Sequence, residues 1–157
     1  MPLSLSLLYR SYTYSFSTLA PGGYLEFQDC TAPFESDDGT LTEDTSTYHL
    51  GHLFLDASRA IGRPLDVASS YRDIMIRTGF VDVVERRLKW PMGTWPKDPY
   101  FKELGYWAHM NFDVGLEGLL MALLTRGLGW TKEEVLIYCA QARRGLRDPR
   151  VHAYLPV

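Results

Sequence analysis

The sequence predicts an α/β protein with few strands and mostly helices. Three observations lead to that class. The turn Pro21-Gly22-Gly23 feeds an aromatic and apolar run, Tyr24-Leu25-Glu26-Phe27, suited to a mostly buried strand. Two helical patterns separate that run from a second β-like stretch at 80–90, the order of a crossover in a parallel or mixed sheet. Beyond residue 98, two strong helix-start signals open long helical segments.

In chain order, residues 1–18 form an atypical leader. Leu3, Leu5 and Leu7 alternate with serines, and Tyr12, Tyr14 and Phe16 with Thr13 and Ser15, a period of two that suggests one or two strands. Such strands would cover an exposed sheet edge; the plainer alternative is a frayed or rearranged leader, with its start misplaced. A signal peptide is not indicated, because no basic segment precedes the leucines and serines interrupt them. Residues 19–157 form the main domain. After the 24–28 strand and an acidic, turn-rich loop at 31–39, Thr40 and Glu43 have capping-box spacing and predict a helix start. Leu50, Leu53, Phe54, Ala57 and Ile61 recur at helical spacing until Gly62 and Pro64 stop the run. A second helix is expected from Asp66 or Ser69 to Thr78, with Tyr71, Ile74 and Met75 inward and Gly79 as its C-terminal cap.

Asp98 followed by Pro99 is an N-cap with proline at the first helical position, and helix is expected to about Arg126. Gly105, Gly115 and Gly118 should each weaken or bend it, or mark close packing or a ligand. Thr131 and Glu134 form a second capping box, flanked by Trp130 and Val135 in staple positions. The last helix then presents Val135, Cys139, Ala142 and Leu146 on one face.

The 157 residues suffice for one domain with a real core, and 46% hydrophobic with 22% charged residues is a globular composition. A net charge of −3 without a basic run argues against nucleic-acid binding. No apolar stretch is long enough to span a bilayer, and the distant Cys30 and Cys139 fit a reduced, cytoplasmic setting.

His109 and Asp113 lie four apart on the long helix, where a carboxylate can hold an imidazole as an acid–base pair; a surface ion pair is the alternative. Trp95, Tyr106, Trp107, Met110, Phe112 and Glu117 surround them in sequence as candidate substrate-binding residues. His49 and His52 share a helix face with Asp56 as the sole local co-ligand, so no metal is expected. Asp29 ends the first predicted strand, where open α/β sheets place ligands.

Several segments carry a family resemblance. Leu19-Ala20-Pro21-Gly22-Gly23-Tyr24-Leu25-Glu26 resembles the strand after the cofactor half of class I S-adenosylmethionine-dependent methyltransferases. Ser36-Asp37-Asp38-Gly39-Thr40-Leu41, Gly79-Phe80-Val81-Asp82-Val83-Val84, Trp95-Pro96-Lys97-Asp98, Gly129-Trp130-Thr131-Lys132-Glu133-Glu134 and His152-Ala153-Tyr154 follow in the family's order. Together they are similar to the fungal LaeA-like methyltransferases over residues 19–154. The resemblance implies a truncated Rossmann-like fold, the substrate-side half without the cofactor-binding half. In the family a Gly-rich loop and a ribose-binding acid lie well before the Pro-Gly-Gly turn; only eighteen residues precede Leu19 here, with no G-x-G, and the family's last sheet strand is also wanting. No cofactor is therefore expected.

Four functions compete. One is a cofactor-independent cyclase or isomerase of fungal secondary metabolism, holding an apolar intermediate in a reactive shape. Another is a non-catalytic pseudo-methyltransferase that dimerises or regulates, since a sheet lacking strands leaves edges and apolar surface to cover. The others are one subunit of a split methyltransferase and a gene fragment without a role of its own. An apolar small molecule and a second copy of the chain are the expected partners.

Overall fold

The computed structural model describes residues 3–157, with side chains from residue 6. Eight elements follow one another: α1 (Leu3–Thr18), α2 (Ser46–Ala60), a 3-10 turn (Val67–Ser70), α3 (Tyr71–Thr78), β1 (Lys89–Pro91), α4 (Pro99–Gly127), α5 (Lys132–Leu146) and β2 (Tyr154–Pro156). Helices dominate and strands are few, as the composition of the elements predicts.

The core lies between α2, α4 and α5. Leu50, Phe54 and Ala57 face inward from α2, and Leu116, Leu120 and Leu124 from α4. Val135, Cys139, Ala142 and Leu146 complete the core from α5, the face expected from their spacing. The caps are also where the sequence places them. The Asp98 carboxylate accepts from the backbone N–H groups of Tyr100 and Phe101, at 2.9 and 3.2 Å. Thr131 and Glu134 close a reciprocal capping box, and Trp130 packs on the cluster that holds Val135. Gly79 takes the left-handed cap that ends α3.

α4 is unbroken through its glycines. A Cβ on Gly105 would lie 2.1 Å from the Gly93 carbonyl oxygen, and one on Gly127 would lie 2.6 Å from that of Ala57. The helix is thus pressed against the 92–95 turn at one end and α2 at the other. Gly115 and Gly118 meet nothing closer than ordinary contact, so close packing does not account for them.

Four sequence expectations are corrected. Residues 3–18 are a helix and not strands; Met1, Pro2 and the side chains of residues 3–5 lie outside the described residues. The hydroxyls of Ser11, Thr13 and Thr18 donate to carbonyls four residues back, so the β-formers are satisfied inside helix. Tyr12 and Phe16, four apart, turn to one side, where Tyr12 meets Phe27 and Tyr71 and Phe16 meets Phe80. The 24–28 run is irregular; with no strand to pair with, Tyr24 is left 95% exposed. Within 80–90 only the end is strand, because its partner is three residues long, and Asp82 enters the left-handed region at φ 54°. The two strands are antiparallel, Trp90 opposite Leu155, so no parallel crossover exists among the described residues. Finally, Thr40 does not start α2. Thr45 does, its side chain accepting from the Tyr48 N–H, while Thr40 is engaged elsewhere.

Candidate functional site

The 92–95 turn is fixed from two sides. Met92 N–H donates to the Ala153 carbonyl at 2.9 Å and Gly93 N–H to the Gly105 carbonyl at 3.2 Å. Gly93 takes φ +112°, which a side-chain-bearing residue rarely adopts, and so lets the chain double back against α4. Trp95 is thereby laid across the His152 ring, with centroids 5.0 Å apart and planes 22° from parallel. Its indole N–H donates to the Ala153 carbonyl at 3.1 Å.

Between this turn, α4 and the end of α5 opens a cleft of about 300 Å³, near the lower end of the usual size for small-molecule sites. Trp95, Tyr106 and His109 line it, with Met92, Leu146 and Pro149 adding apolar wall and Arg147 and Asp148 a charged margin. Three predicted site residues therefore converge. His109 Nδ1 is buried and has no hydrogen-bond partner among the described residues, which is uncommon for a buried polar atom and costs stability unless something meets it.

Asp113 does not orient His109. Its carboxylate accepts from Arg147 Nη2 at 2.9 and 3.2 Å, and its backbone carbonyl accepts from Arg143 at 3.2 and 3.3 Å. Two guanidinium groups reaching over from α5 outcompete an imidazole one turn away on the same helix. The Trp95 indole N–H is not free for a ligand, since the Ala153 carbonyl takes it. Trp107, Met110 and Glu117 are exposed and outside the cleft, and Phe112 is in the core against Phe34 and Phe54.

The carboxylate-held imidazole lies on the other side of Trp95. His152 Nδ1 pairs with Asp38, which also accepts from the Thr40 hydroxyl and backbone N–H and from the Ser36 hydroxyl. These bonds, that of Thr40 Oγ1 foremost, hold the Asp38 carboxyl well below the usual carboxylate range. Tyr154 donates its hydroxyl to Asp37 and Glu35, and Lys89 pairs with Asp37. The network pins the 35–40 loop to β2. Both family-like segments, 36–41 and 152–154, meet in it; the separation of 114 positions hid the pairing.

Elsewhere, Asp29 accepts from the Tyr71 hydroxyl at 2.6 Å. His52 stacks on Tyr48, and among the described residues no group of three or more His, Cys, Asp or Glu is placed to hold a metal ion. Cys30 is exposed and Cys139 buried, both as free thiols. A second hollow of about 270 Å³ rests on Asp73, Ile76 and Arg77 of α3 alone and brings no other element's groups together. No helix among the described residues is long and apolar enough to cross a membrane.

No family model matches the chain, and no solved structure does. Among curated proteins it is 36% identical over 148 residues to the probable methyltransferase tdiE of Emericella nidulans, covering 94% of this chain and 47% of tdiE. It is 37% identical over 138 residues to the methyltransferase pytC of Aspergillus terreus, covering 88% and 43%. The secondary metabolism regulator LAE1 of Cochliobolus heterostrophus is 31% identical over 145 residues, covering 91% and 47%. The chain thus spans just under half the length of the curated relatives it matches.

A nucleotide-type cofactor needs free backbone N–H groups where a strand turns into a helix. Between β1 and α4, the one strand-to-helix passage among the described residues, the first N–H groups of the helix are taken by the Asp98 carboxylate.

Proposed function

The chain belongs to the LaeA-like fungal methyltransferases, and we propose that it acts in fungal secondary metabolism without binding S-adenosylmethionine. Its task in this reading is cyclisation or isomerisation of an apolar intermediate in the Trp95–Tyr106–His109 cleft. One observation carries the reading: an apolar cleft whose wall holds a buried imidazole nitrogen without a partner. Ring closures and isomerisations need orientation above all, and a fixed cleft supplies it by removing the freedom of the reacting ends. Trp95 and Tyr106 would clamp the flat part of the molecule. His109 would turn its ring to bring Nδ1, buried in the free protein, onto a polar atom of it and thereby satisfy that nitrogen.

The test is conversion of the intermediate that accumulates when the gene is deleted. The purified chain should turn it into a product of identical mass, with no S-adenosylmethionine added. A product heavier by one methylene and dependent on S-adenosylmethionine would overturn the proposal and restore methyl transfer, by this chain or by it as one subunit of a split enzyme.

A second reading, an interaction module that forms a homodimer, is favoured by the exposed apolar side chains of α1 and its surroundings: Leu7, Tyr9, Tyr14, Tyr24, Val81 and Val84. Light scattering over a wide concentration range should then give twice the chain mass; a monomer throughout would remove it.

A further inference from the structure

Arg147, at the C-terminal end of α5, reaches α4 and spends one nitrogen there. Nη2 makes both contacts to the Asp113 carboxylate. A guanidinium carries five N–H donors, and the Nε and Nη1 donors of Arg147 meet no protein acceptor among the described residues. Charge is unbalanced as well. Arg143 lies 3.6 Å from the same carboxylate, so two cations share one anion. Asp148, the other acid on the cleft wall, is spoken for by Arg150, which reaches both its oxygens at 2.9 and 2.7 Å. Glu117 lies beyond Asp113 on α4 and outside the cleft. His109 and Asp113 are one turn apart on α4, and the Arg147 guanidinium held by Asp113 lines the same cleft as the unpartnered imidazole.

We propose that the molecule taken by this cleft is an apolar, flat compound carrying one anionic oxygen group, a carboxylate or the enolate of a 1,3-dicarbonyl, received by Arg147 beside His109. The inference rests on the cleft being the functional site and adds the chemical class of what enters it. A carboxylate or enolate accepts the free edge of a guanidinium in its own plane, which would orient the body of the ligand between Trp95 and Tyr106. The Arg147 side chain is 59% exposed, so solvent screening keeps the preference moderate, about tenfold.

The experiment is calorimetric titration of the full chain, near neutral pH and at low salt, with 2-naphthoate and with 2-naphthylmethanol, which share one ring system and differ in charge. The wild type should bind the naphthoate about tenfold more tightly. Arg147→Gln should lower naphthoate affinity to that of the alcohol, Arg147→Lys should keep most of the preference, and added salt should weaken the naphthoate alone. Equal affinities in the wild type, a preference that survives Arg147→Gln, or salt-independent naphthoate binding would each overturn the proposal while leaving the cleft intact as a site. Failure of both probes to bind would remove the cleft reading, and this inference with it.

Discussion

Trp95 joins parts of the chain far apart in sequence: its ring covers His152, its N–H holds Ala153, and its other surroundings are the cleft with Tyr106 and His109. Trp95→Phe should cost about 1 kcal/mol, the lost hydrogen bond, and keep the wall. Trp95→Ala should cost more in stability and lower turnover at least about tenfold, because orientation is lost. With Asp113 committed to Arg147, His109→Ala should lower turnover only a few-fold, about the loss of one hydrogen bond, and remove no limb of the pH–rate profile. Kinetics of the two alanine variants check this, and the reverse order would return His109 to acid–base duty. Asp38 supplies the pH dependence. Its folded pKa is depressed, so its bonds stabilise the protein above the ordinary carboxylate pKa of about 4 and are lost as pH falls below it. Thr40→Val removes the largest cause of the depression and should flatten the acid side of a plot of unfolding midpoint against pH; an unchanged slope would contradict the assignment. Trp95, Tyr106 and His109 were legible in the sequence as neighbours of one loop and one helix. His152 with Asp38 was not, because only the folded chain brings them together.

At the scale of elements, local chemistry was readable and pairing was not. Asp98-Pro99, Thr131 with Glu134, and Gly79 each contain their own structural reason within four residues, and each is where expected. Among the described residues the 24–28 run has no strand partner and 80–90 has one only three residues long, and the alternation in α1 concealed a four-residue aromatic spacing. The glycines of α4 divide in the same way. Gly105→Ala gains about 1 kcal/mol of helix propensity but forces a methyl to 2.1 Å from the Gly93 carbonyl oxygen, so it should destabilise the protein by about 2 kcal/mol or more and open the cleft. Gly118→Ala meets nothing within 4 Å and should stabilise by about 0.5–1 kcal/mol. Chemical denaturation of both variants measures the contrast, and equal effects would mean that α4 does not bear on the turn.

For the whole molecule, α2, α4 and α5 make most of the core, Leu155 of β2 with Met92 and Ala153 completes it, and β1 with β2 brace the 92–95 turn. That division explains how a stretch matching just under half the length of its relatives has a core and a cleft of its own. The proposed function separates two properties that a methyltransferase combines, a pocket for the acceptor and a cradle for the donor; among the described residues the one helix N-terminus that follows a strand is filled by Asp98. Calorimetric titration of the purified chain with S-adenosylmethionine is the most direct measurement of that separation. No saturable heat should appear up to millimolar ligand, whereas one-to-one binding at micromolar affinity would contradict it and make methyl transfer the function to be sought.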